Sequence, residues 1–282
     1  MKKVVLLVVA MCWGVFSFAQ DAAEKITQAN EAMQSKDYAK AFELYESAMS
    51  NLGDVQVPDA INFNIGLAAY NSDNYEKAIE YFDKAIAADA NVAKAYEYKA
   101  GAYGKLKKSS EAMAAYKKAI EVAPEEAASL SYNAGIVAYK GKMYKEAIEF
   151  FSTAVEGNYK GKTAQYYKAV AYKKLNDDEA YKATLVEGVE KFADDKKMSK
   201  ALANIYVSEG NDLYKKGAAV LSAANEKVNA GSMSTADDAY AAEVAKAKKE
   251  FSAAMEVLEK ATALDATNAN AKKLIEACKA AM

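Results

Sequence analysis

The sequence predicts an all-α fold built from about six helical hairpins, and three observations support this prediction. Only 2 Pro and 13 Gly occur in 282 residues, so little turn-forming material is available for a β-rich fold. Ala, Lys and Glu are abundant, and these residues favour helices. Small and aromatic residues also recur with a period of about 34 residues, and a fixed period of this size indicates stacked supersecondary units.

Residues 1–19 have the features of a secretory signal peptide. A Lys-Lys pair precedes an apolar run over residues 4–16, and Ser17 and Ala19 place small side chains at the usual cleavage spacing. The apolar run is shorter than the about 20 residues that span a bilayer, and no other stretch approaches that length. We therefore expect cleavage after Ala19 and a mature protein without an integral membrane span.

The same segment predicts the compartment. A short Lys-Lys start is typical of bacteria, so we expect export to the periplasm or cell envelope of a Gram-negative-type bacterium. A lipoprotein would need Cys12 as its lipidated residue, but the bulky Met11 and Trp13 flank it. We therefore expect no lipid anchor.

The helical hairpins are recognised by a recurring set of small and aromatic residues. Gly66 is followed twelve positions later by Ala78 and a further seven positions later by Ala85, with Phe82 between the two alanines. Small residues allow antiparallel helices to approach closely, and the aromatic ring fills the space one turn along. The same order occurs at Ala29, Ala41, Tyr45 and Ala48, at Ala100, Ala112, Tyr116 and Ala119, and at Gly135, Ala147, Phe151 and Ala154.

The phrases NFNIGLAAYNSDNYEKAIEYFDKAIAADA and SYNAGIVAYKGKMYKEAIEFFSTAVEGNY resemble the tetratricopeptide repeat family in the order of Gly, Tyr, Ala, aromatic residue and Ala. The resemblance implies a right-handed α-solenoid of helix-turn-helix repeats. It places the repeats near residues 22–55, 59–92, 93–127, 128–161, 162–195 and 203–268. The fifth is weaker, because Tyr181 occupies the expected Ala position.

The sixth repeat is interrupted. Residues 218–249 separate its two helices, and their composition is helical apart from a break around Gly231 and Ser232. The simplest interpretation is that both helices are prolonged into an extended hairpin. Residues 269–282 then form a capping helix, which repeat arrays need in order to cover their apolar end.

The composition argues against several classes of function. The chain has no His and no Arg, which excludes His-based catalysis, His metal ligands and arginine fingers. Gly161, Lys162 and Thr163 imitate the end of a phosphate-binding loop, but Glu156 stands where the first Gly must be. The net charge of −2 argues against nucleic acid as a partner. We expect no enzyme activity, cofactor or metal.

By the resemblance, the first helix of each repeat lines a concave binding face. Its candidate residues are rich in Tyr and Asn, which suit recognition because Tyr offers a large contact area and Asn pairs with both peptide N–H and C=O groups. These candidates are Asn30, Phe63, Asn64, Tyr70, Lys94, Tyr98, Tyr132, Asn133, Tyr139, Lys140, Tyr166 and Tyr167. Tyrosine is also a frequent filler between helices, so for Phe63, Tyr98 and Tyr132 packing and ligand contact are both open.

Some family members grip a carboxyl terminus with basic residues and a pair of Asn residues across three successive repeats, five places in all, of which three hold cations. Asn30, Asn64 and Lys94 coincide with three of these five places, but Ile26 and Tyr98 replace the other two cations. Strong carboxylate capture of that kind is therefore not expected.

These features predict a non-catalytic protein–protein interaction scaffold that binds peptides or surfaces of other envelope proteins on the concave face. Residues 218–249 provide a second contact or a self-association element. An alternative is a glycan-binding or nutrient-uptake accessory protein, because aromatic side chains on an exported repeat protein can also stack on sugar rings.

Overall fold

The computed structural model describes residues 20–53 and 55–282, and all regular structure within them is helical. The predicted signal peptide, including Cys12, lies outside the described residues. The chain divides into two compact units, Met1–Gly161 and Lys162–Met282. The prediction of an all-α repeat fold is confirmed.

The first unit contains eight helices among its described residues, arranged as four hairpins. They are α1 (20–34), α2 (Tyr38–Met49), α3 (Ile61–Asn71), α4 (Tyr75–Ala87), α5 (Val92–Lys105), α6 (Ser109–Val122), α7 (Ala127–Lys140) and α8 (Tyr144–Glu156). A short 3-10 helix, Pro124–Glu126, precedes α7.

The second unit contains a shorter hairpin, a long hairpin and a terminal helix. They are α9 (Gly161–Lys174), α10 (Asp178–Lys191), α11 (Lys196–Asn229), α12 (Asp238–Leu264) and α13 (Ala269–Ala281).

The hairpins close because a small residue on the first helix faces a ring on the second. A Cβ atom added to Gly66 would lie 2.6 Å from the Phe82 ring, and one added to Gly135 would lie 2.7 Å from the Phe151 ring. Phe82 and Phe151 are both fully buried. In these two hairpins the close approach of the helices therefore depends on a glycine at this position.

Five hairpins share one turn conformation. In each, a single non-glycine residue adopts a left-handed backbone, and the N–H of the residue after it bonds back to a carbonyl of the first helix, as in a Schellman motif. These residues are Lys36, Asp73, Lys107, Lys142 and Asn176, with φ between 58° and 64°. The bonds include Lys108 N to Tyr103 O at 2.9 Å and Met143 N to Ala138 O at 2.9 Å. The recurring turn sets a constant geometry from one hairpin to the next.

The long hairpin of α11 and α12 corresponds to the predicted extended hairpin of the sixth repeat. Leu258 fills the space beside Gly210, and Phe251 fills the space beside Gly217. The helix α11 begins at Lys196, upstream of residue 203, because the Asp195 carboxylate accepts hydrogen bonds from the backbone N–H groups of Lys197 and Met198. Gly231, with φ of 70°, lies in the loop between the two helices.

The terminal helix α13 covers the apolar end of the long hairpin. Ala271 and Cys278 are fully buried in a cluster with Phe251 and Leu258. Burial raises the pKa of the Cys278 thiol. Among residues 20–53 and 55–282, none of the helices combines the length and the apolar character that crossing a bilayer would require.

Candidate functional site

The first unit contains a groove of about 730 Å³ between α3, α5, α6 and α7, which we call the tyrosine groove. Small residues shape its floor and edge, and tyrosine, lysine and one carboxylate provide its chemistry. Its lining residues are Tyr70, Glu97, Tyr98, Gly101, Gly104, Lys105, Lys107, Ser109, Tyr116, Tyr132, Asn133, Ile136, Val137, Lys140 and Gly141.

Close packing brings one end of the groove together. Val137 packs against Gly104 at the end of α5, and Ser109 at the start of α6 packs against Gly141 just beyond α7. The carboxyl ends of α5 and α7 therefore meet beside the amino end of α6. Positions far apart in the sequence become neighbours there.

An aromatic cluster forms one side of the groove. The Tyr70 and Tyr98 rings meet edge to face at 5.4 Å, and Tyr98 stacks on Phe82 at 5.8 Å. Phe63 packs against both Phe82 and Tyr98. Burial and the neighbouring Tyr98 raise the pKa of the Tyr70 hydroxyl, so it remains a protonated hydrogen-bond donor.

Glu97 is the carboxylate of the groove, and neighbouring side chains engage it. Its side chain accepts a hydrogen bond from Lys94 Nζ at 2.9 Å and from Asn133 Nδ2 at 3.4 Å. Lys94 also donates to Glu126 at 2.6 Å. These two carboxylates raise the pKa of Lys94. Lys94 is therefore held in ion pairs within the protein.

Tyr116 is the most buried phenol of the groove. Its residue is only 5% exposed, it lines the groove, and its hydroxyl forms no hydrogen bond with another described residue. Burial, followed by the negative charge of Glu97, raises the pKa of this hydroxyl. Since no fully buried side-chain N or O atom of the described residues lacks a hydrogen-bond partner, this unpaired oxygen is reachable from the groove, where a ligand can accept its hydrogen bond.

Three lysines surround the other end of the groove. Lys105 lies in the last turn of α5, Lys107 in the following turn, and Lys140 in the last turn of α7. None of the three forms an ion pair with a carboxylate of the described residues. Lys105 Nζ lies 5.9 Å from the centre of the Tyr75 ring. The groove therefore has one end with three lysines and another end with Glu97, whose carboxylate accepts hydrogen bonds from Lys94 and Asn133.

The tyrosine groove brings together five of the twelve residues that the sequence proposes for binding: Tyr70, Tyr98, Tyr132, Asn133 and Lys140. Tyr132 also carries Lys160 over its ring, with Nζ 4.6 Å from the ring centre.

Five others lie outside the groove in the first unit. Asn30 accepts a hydrogen bond from the Tyr45 hydroxyl at 2.5 Å, and Asn64 is exposed on α3. Phe63 packs in the aromatic cluster, and Tyr139 packs edge to face with Tyr144 at 5.6 Å. Lys94, held by Glu97 and Glu126, completes this set.

Tyr166 and Tyr167 belong to the second unit. They line a smaller cavity of about 370 Å³ with Lys162, Thr163 and residues 194–197. Lys162 and Asp194 form an ion pair there, and this ion pair lowers the pKa of the Asp194 carboxyl. These two tyrosines form a separate cluster within their own unit.

Sequence reasoning missed Glu97, Lys105, Lys107 and Tyr116 as groove residues. One signal was available for Tyr116, because it holds the register position that Phe82 and Phe151 hold in neighbouring repeats, and a hydroxyl at that position has no packing role. No comparable signal marks the two lysines. Their approach to Lys140 depends on how the hairpins stack.

Comparisons with known proteins agree with the repeat architecture. Two family models, each described as tetratricopeptide repeat, match residues 60–91 and 99–163. This chain contains tetratricopeptide repeats. The two matched ranges include every residue of the tyrosine groove except Glu97 and Tyr98, which lie between them.

Among curated proteins, Protein STIP1 homolog from Dictyostelium discoideum is 32% identical over 125 residues, which are 42% of this tetratricopeptide repeat protein and 22% of that relative. The chain thus spans about a fifth of the length of the curated relative that it matches.

Solved structures show the same fold at low identity. A tetratricopeptide repeat protein from Parabacteroides merdae is 20% identical, with 92% of this chain and 99% of that chain covered and a TM-score of 0.50. The C-terminal part of a repeat-containing protein from Cytophaga hutchinsonii is 15% identical, with 89% and 99% covered and a TM-score of 0.52. YrrB, described as a repeat protein with an unusual peptide-binding site, is 19% identical, with 66% and 93% covered and a TM-score of 0.50.

The tetratricopeptide repeat fold is generally a non-catalytic scaffold for protein–protein interaction. In the part of the chain that the structure describes, no group of three His, Cys, Asp or Glu side chains is arranged to hold a metal ion. What the tyrosine groove offers chemically is a set of hydrogen-bond donors, aromatic surface and positive charge.

Proposed function

We propose that this tetratricopeptide repeat protein is a non-catalytic scaffold that binds an extended segment of a partner protein in the tyrosine groove. The observation that carries the proposal is Tyr116, a residue only 5% exposed that lines the groove and whose hydroxyl has no hydrogen-bond partner among the described residues. A peptide carbonyl is a natural acceptor for this donor.

The dimensions of the groove suit a short stretch of extended chain. Glu97 and Lys105 lie eight residues apart on α5, which corresponds to about 12 Å along a helix. An extended segment rises about 3.3 Å per residue, so three to four residues span this distance. The volume of about 730 Å³ falls within the range of about 300–1,000 Å³ that is common for ligand pockets.

The aromatic rings favour a peptide over a glycan. Sugar binding requires an open ring face, whereas Tyr98 turns a face to Phe82 and meets Tyr70 and Phe63 by their edges. The glycan-binding or nutrient-uptake alternative thus has less support from this geometry than peptide recognition has.

The setting that we propose is the cell envelope of a Gram-negative-type bacterium. The Lys-Lys start, the apolar run over residues 4–16 and the small residues at 17 and 19 support this proposal. The partners would then be other exported proteins.

The groove proposal is tested by recovering partners from an envelope extract with tagged wild-type protein and a groove variant. The variant Tyr70→Phe, Tyr116→Phe, Asn133→Ala removes polar groups of the groove and keeps both rings. Asn30→Ala, Asn64→Ala serves as the control, because both residues lie on first helices of repeats but outside the groove.

We expect mass spectrometry to show the partners with the wild type and the control, and their loss from the groove variant. The variant should also retain cooperative urea unfolding, since the Tyr116 hydroxyl contributes no internal hydrogen bond. Equal recovery by all three proteins would refute binding in the groove. A signal on a glycan array that the groove variant abolishes would favour the alternative instead.

We propose self-association as a second role, located on the long hairpin. An open cavity of about 360 Å³ lies along α11 and α12, and its apolar lining includes Tyr214, Leu221 and Phe251. Analytical ultracentrifugation of wild type and Leu221→Glu tests this role. A concentration-dependent dimer that the variant abolishes is expected, and a wild-type monomer at all concentrations would refute it.

A further inference from the structure

We infer that the segment bound in the tyrosine groove is acidic and that Lys105, Lys107 and Lys140 select it. This inference rests on the proposed function, because it names the class of peptide that the same groove takes. It concerns side-chain carboxylates within the segment rather than a free carboxyl terminus.

The first step of the argument is the charge of the groove. Lys105, Lys107 and Lys140 line it, and none of them forms an ion pair within the described residues. The single lining carboxylate, Glu97, already accepts hydrogen bonds from Lys94 and Asn133. The groove therefore carries an uncompensated positive charge in a chain whose net charge is −2.

The second step is the position of this charge. Helix dipoles favour cations at the carboxyl ends of α5 and α7, which gives Lys105 and Lys140 a local stabilising role. Lys107 lies just beyond the end of α5, at a left-handed position in the turn, where the dipole acts more weakly. All three are nevertheless directed to one cavity because Gly104 contacts Val137 and Gly141 contacts Ser109.

The third step is the presence of buried donors beside the cations. The hydroxyls of Tyr116 and Tyr70 have raised pKa values because of burial, so they donate hydrogen bonds and do not themselves ionise near neutral pH. A carboxylate accepts several hydrogen bonds, and charge-assisted hydrogen bonds are about twice as strong as neutral ones. Donors and cations in one groove therefore favour carboxylate groups over basic or apolar side chains.

A terminal carboxylate is a weaker match for this groove. The residues that would form a terminal clamp include Lys94, which is held by Glu97 and Glu126, and Tyr98, which is stacked on Phe82. The three groove lysines lie on the last turns and connecting turn of α5 and α7 instead. An internal run of Asp or Glu can reach all three.

The test selects peptides that bind the full chain from a random library of ten-residue peptides. Both ends of each peptide are blocked. The groove-lysine variant is Lys105→Gln, Lys107→Gln, Lys140→Gln. The control variant is Lys36→Gln, Lys40→Gln, Lys117→Gln, which makes the same change of charge at exposed positions outside the groove. A third variant, Tyr116→Phe, tests the groove independently of charge.

We expect wild type and control to enrich peptides rich in Asp and Glu. A fluorescent peptide with the most enriched sequence should bind the groove-lysine variant about tenfold more weakly, because three exposed ionic contacts of modest strength are lost together. The control should bind within about twofold of wild type. Raising the salt concentration should weaken wild-type binding more than binding to the groove-lysine variant, and amidation of the peptide carboxyl terminus should have little effect.

Two results would overturn the inference. Enrichment of peptides without an acidic preference, with binding reduced by Tyr116→Phe, would refute the acidic segment and leave the proposed function standing. An acidic preference that the groove-lysine variant retains would show that other cations select the peptide. If no peptide is enriched by any of the proteins, both the acidic segment and the peptide-binding function fail.

Discussion

At the scale of single residues, a difference between phenylalanine and tyrosine at one repeat position gives the groove a hydroxyl group. Phe82 and Phe151 fill the space beside Gly66 and Gly135, whereas the corresponding ring of the third repeat is Tyr116. Tyr116 lines the groove, and its hydroxyl has no hydrogen-bond partner among the described residues. A position that only packs in two repeats thus becomes a hydrogen-bond donor in the repeat between them.

The contact between Gly66 and Phe82 leads to a prediction about stability. Gly66→Ala should lower the free energy of unfolding by about 1–3 kcal/mol, because the new methyl group would lie about 2.6 Å from the buried ring. The cost should appear although Ala is a better helix former than Gly by about 1 kcal/mol. Urea unfolding of the variant measures it.

A second substitution supplies the control for this contact. In a Phe82→Ala background, Gly66→Ala should cost less than in the wild type, because the ring carbons that it meets are gone. Equal costs in the two backgrounds would contradict the close contact.

Tyr81 predicts a loss of stability at alkaline pH. This residue is 6% exposed, and its hydroxyl donates to Glu46 at 3.3 Å. Burial, and then the charge of Glu46, raises the pKa of Tyr81 from 10.0 to about 12. The folded state therefore favours the neutral phenol, and this contribution is full below pH 10 and is lost as the pH rises toward 12.

The measurement compares urea midpoints of wild type and Tyr81→Phe at about pH 9 and pH 11. Other groups titrate alike in the two proteins, so the wild type should lose more stability over this interval. Equal losses of stability in the two proteins would show that folding does not raise the pKa of Tyr81.

At the scale of helices, the sequence predicted those contacts that depend on one hairpin. The spacing of Gly66 and Phe82 lies within a single repeat, and the structure confirms that these residues face each other. The extended hairpin was predictable for the same reason, because its helical composition and the break at Gly231 are local features. The residue spacing in the sequence therefore predicts the packing contact wherever that contact lies between two consecutive helices.

Contacts between repeats could not be predicted in the same way. Asn133 reaches Glu97 across 36 positions of the sequence, and Lys107 comes to the same groove as Lys140. Both arrangements depend on the angle between stacked hairpins, which the residue pattern does not specify. Five of the residues that the sequence proposes for binding line the groove, but the pattern gave no sign of the cationic end, which depends on how the hairpins stack.

The docking of α13 leads to a prediction about thiol reactivity. Cys278 is fully buried in this helix, so a thiol reagent can reach it only when α13 detaches or the unit unfolds. In a Cys12→Ser background, native labelling should be at least about tenfold slower than in urea, because local opening of a docked helix costs free energy.

The variant Leu274→Ala provides a graded control for the labelling. Leu274 is a partly buried residue of α13 that packs against the same cluster, so its truncation should speed native labelling without unfolding the first unit. Rapid labelling of the wild type would show that α13 does not cover this cluster.

At the scale of the whole molecule, the distribution of charge separates stabilising from recognition roles. Each of the two units has its own buried cluster, and many lysines in both form ion pairs on exposed helix faces, which contribute little individually. Lys105, Lys107 and Lys140 depart from this pattern, because three cations without a described ionic partner share one cavity. Charge that does not stabilise the fold is available for a partner.

The absence of His from the chain predicts a plateau of stability near neutral pH. His is the only side chain whose ordinary pKa places its charge change between about pH 5 and 8, so the urea midpoint should change little between about pH 6 and 8.

The carboxyl pKa values of Glu80 and Asp194 are lowered by Lys84 and Lys162, respectively. Such carboxylates stabilise the fold above their unfolded pKa, near 4, and lose this contribution as the pH falls through the lower folded pKa. Urea midpoints measured from about pH 3 to 8 should therefore be flat at first and then fall below about pH 4, and a step near pH 6.5 would contradict the prediction.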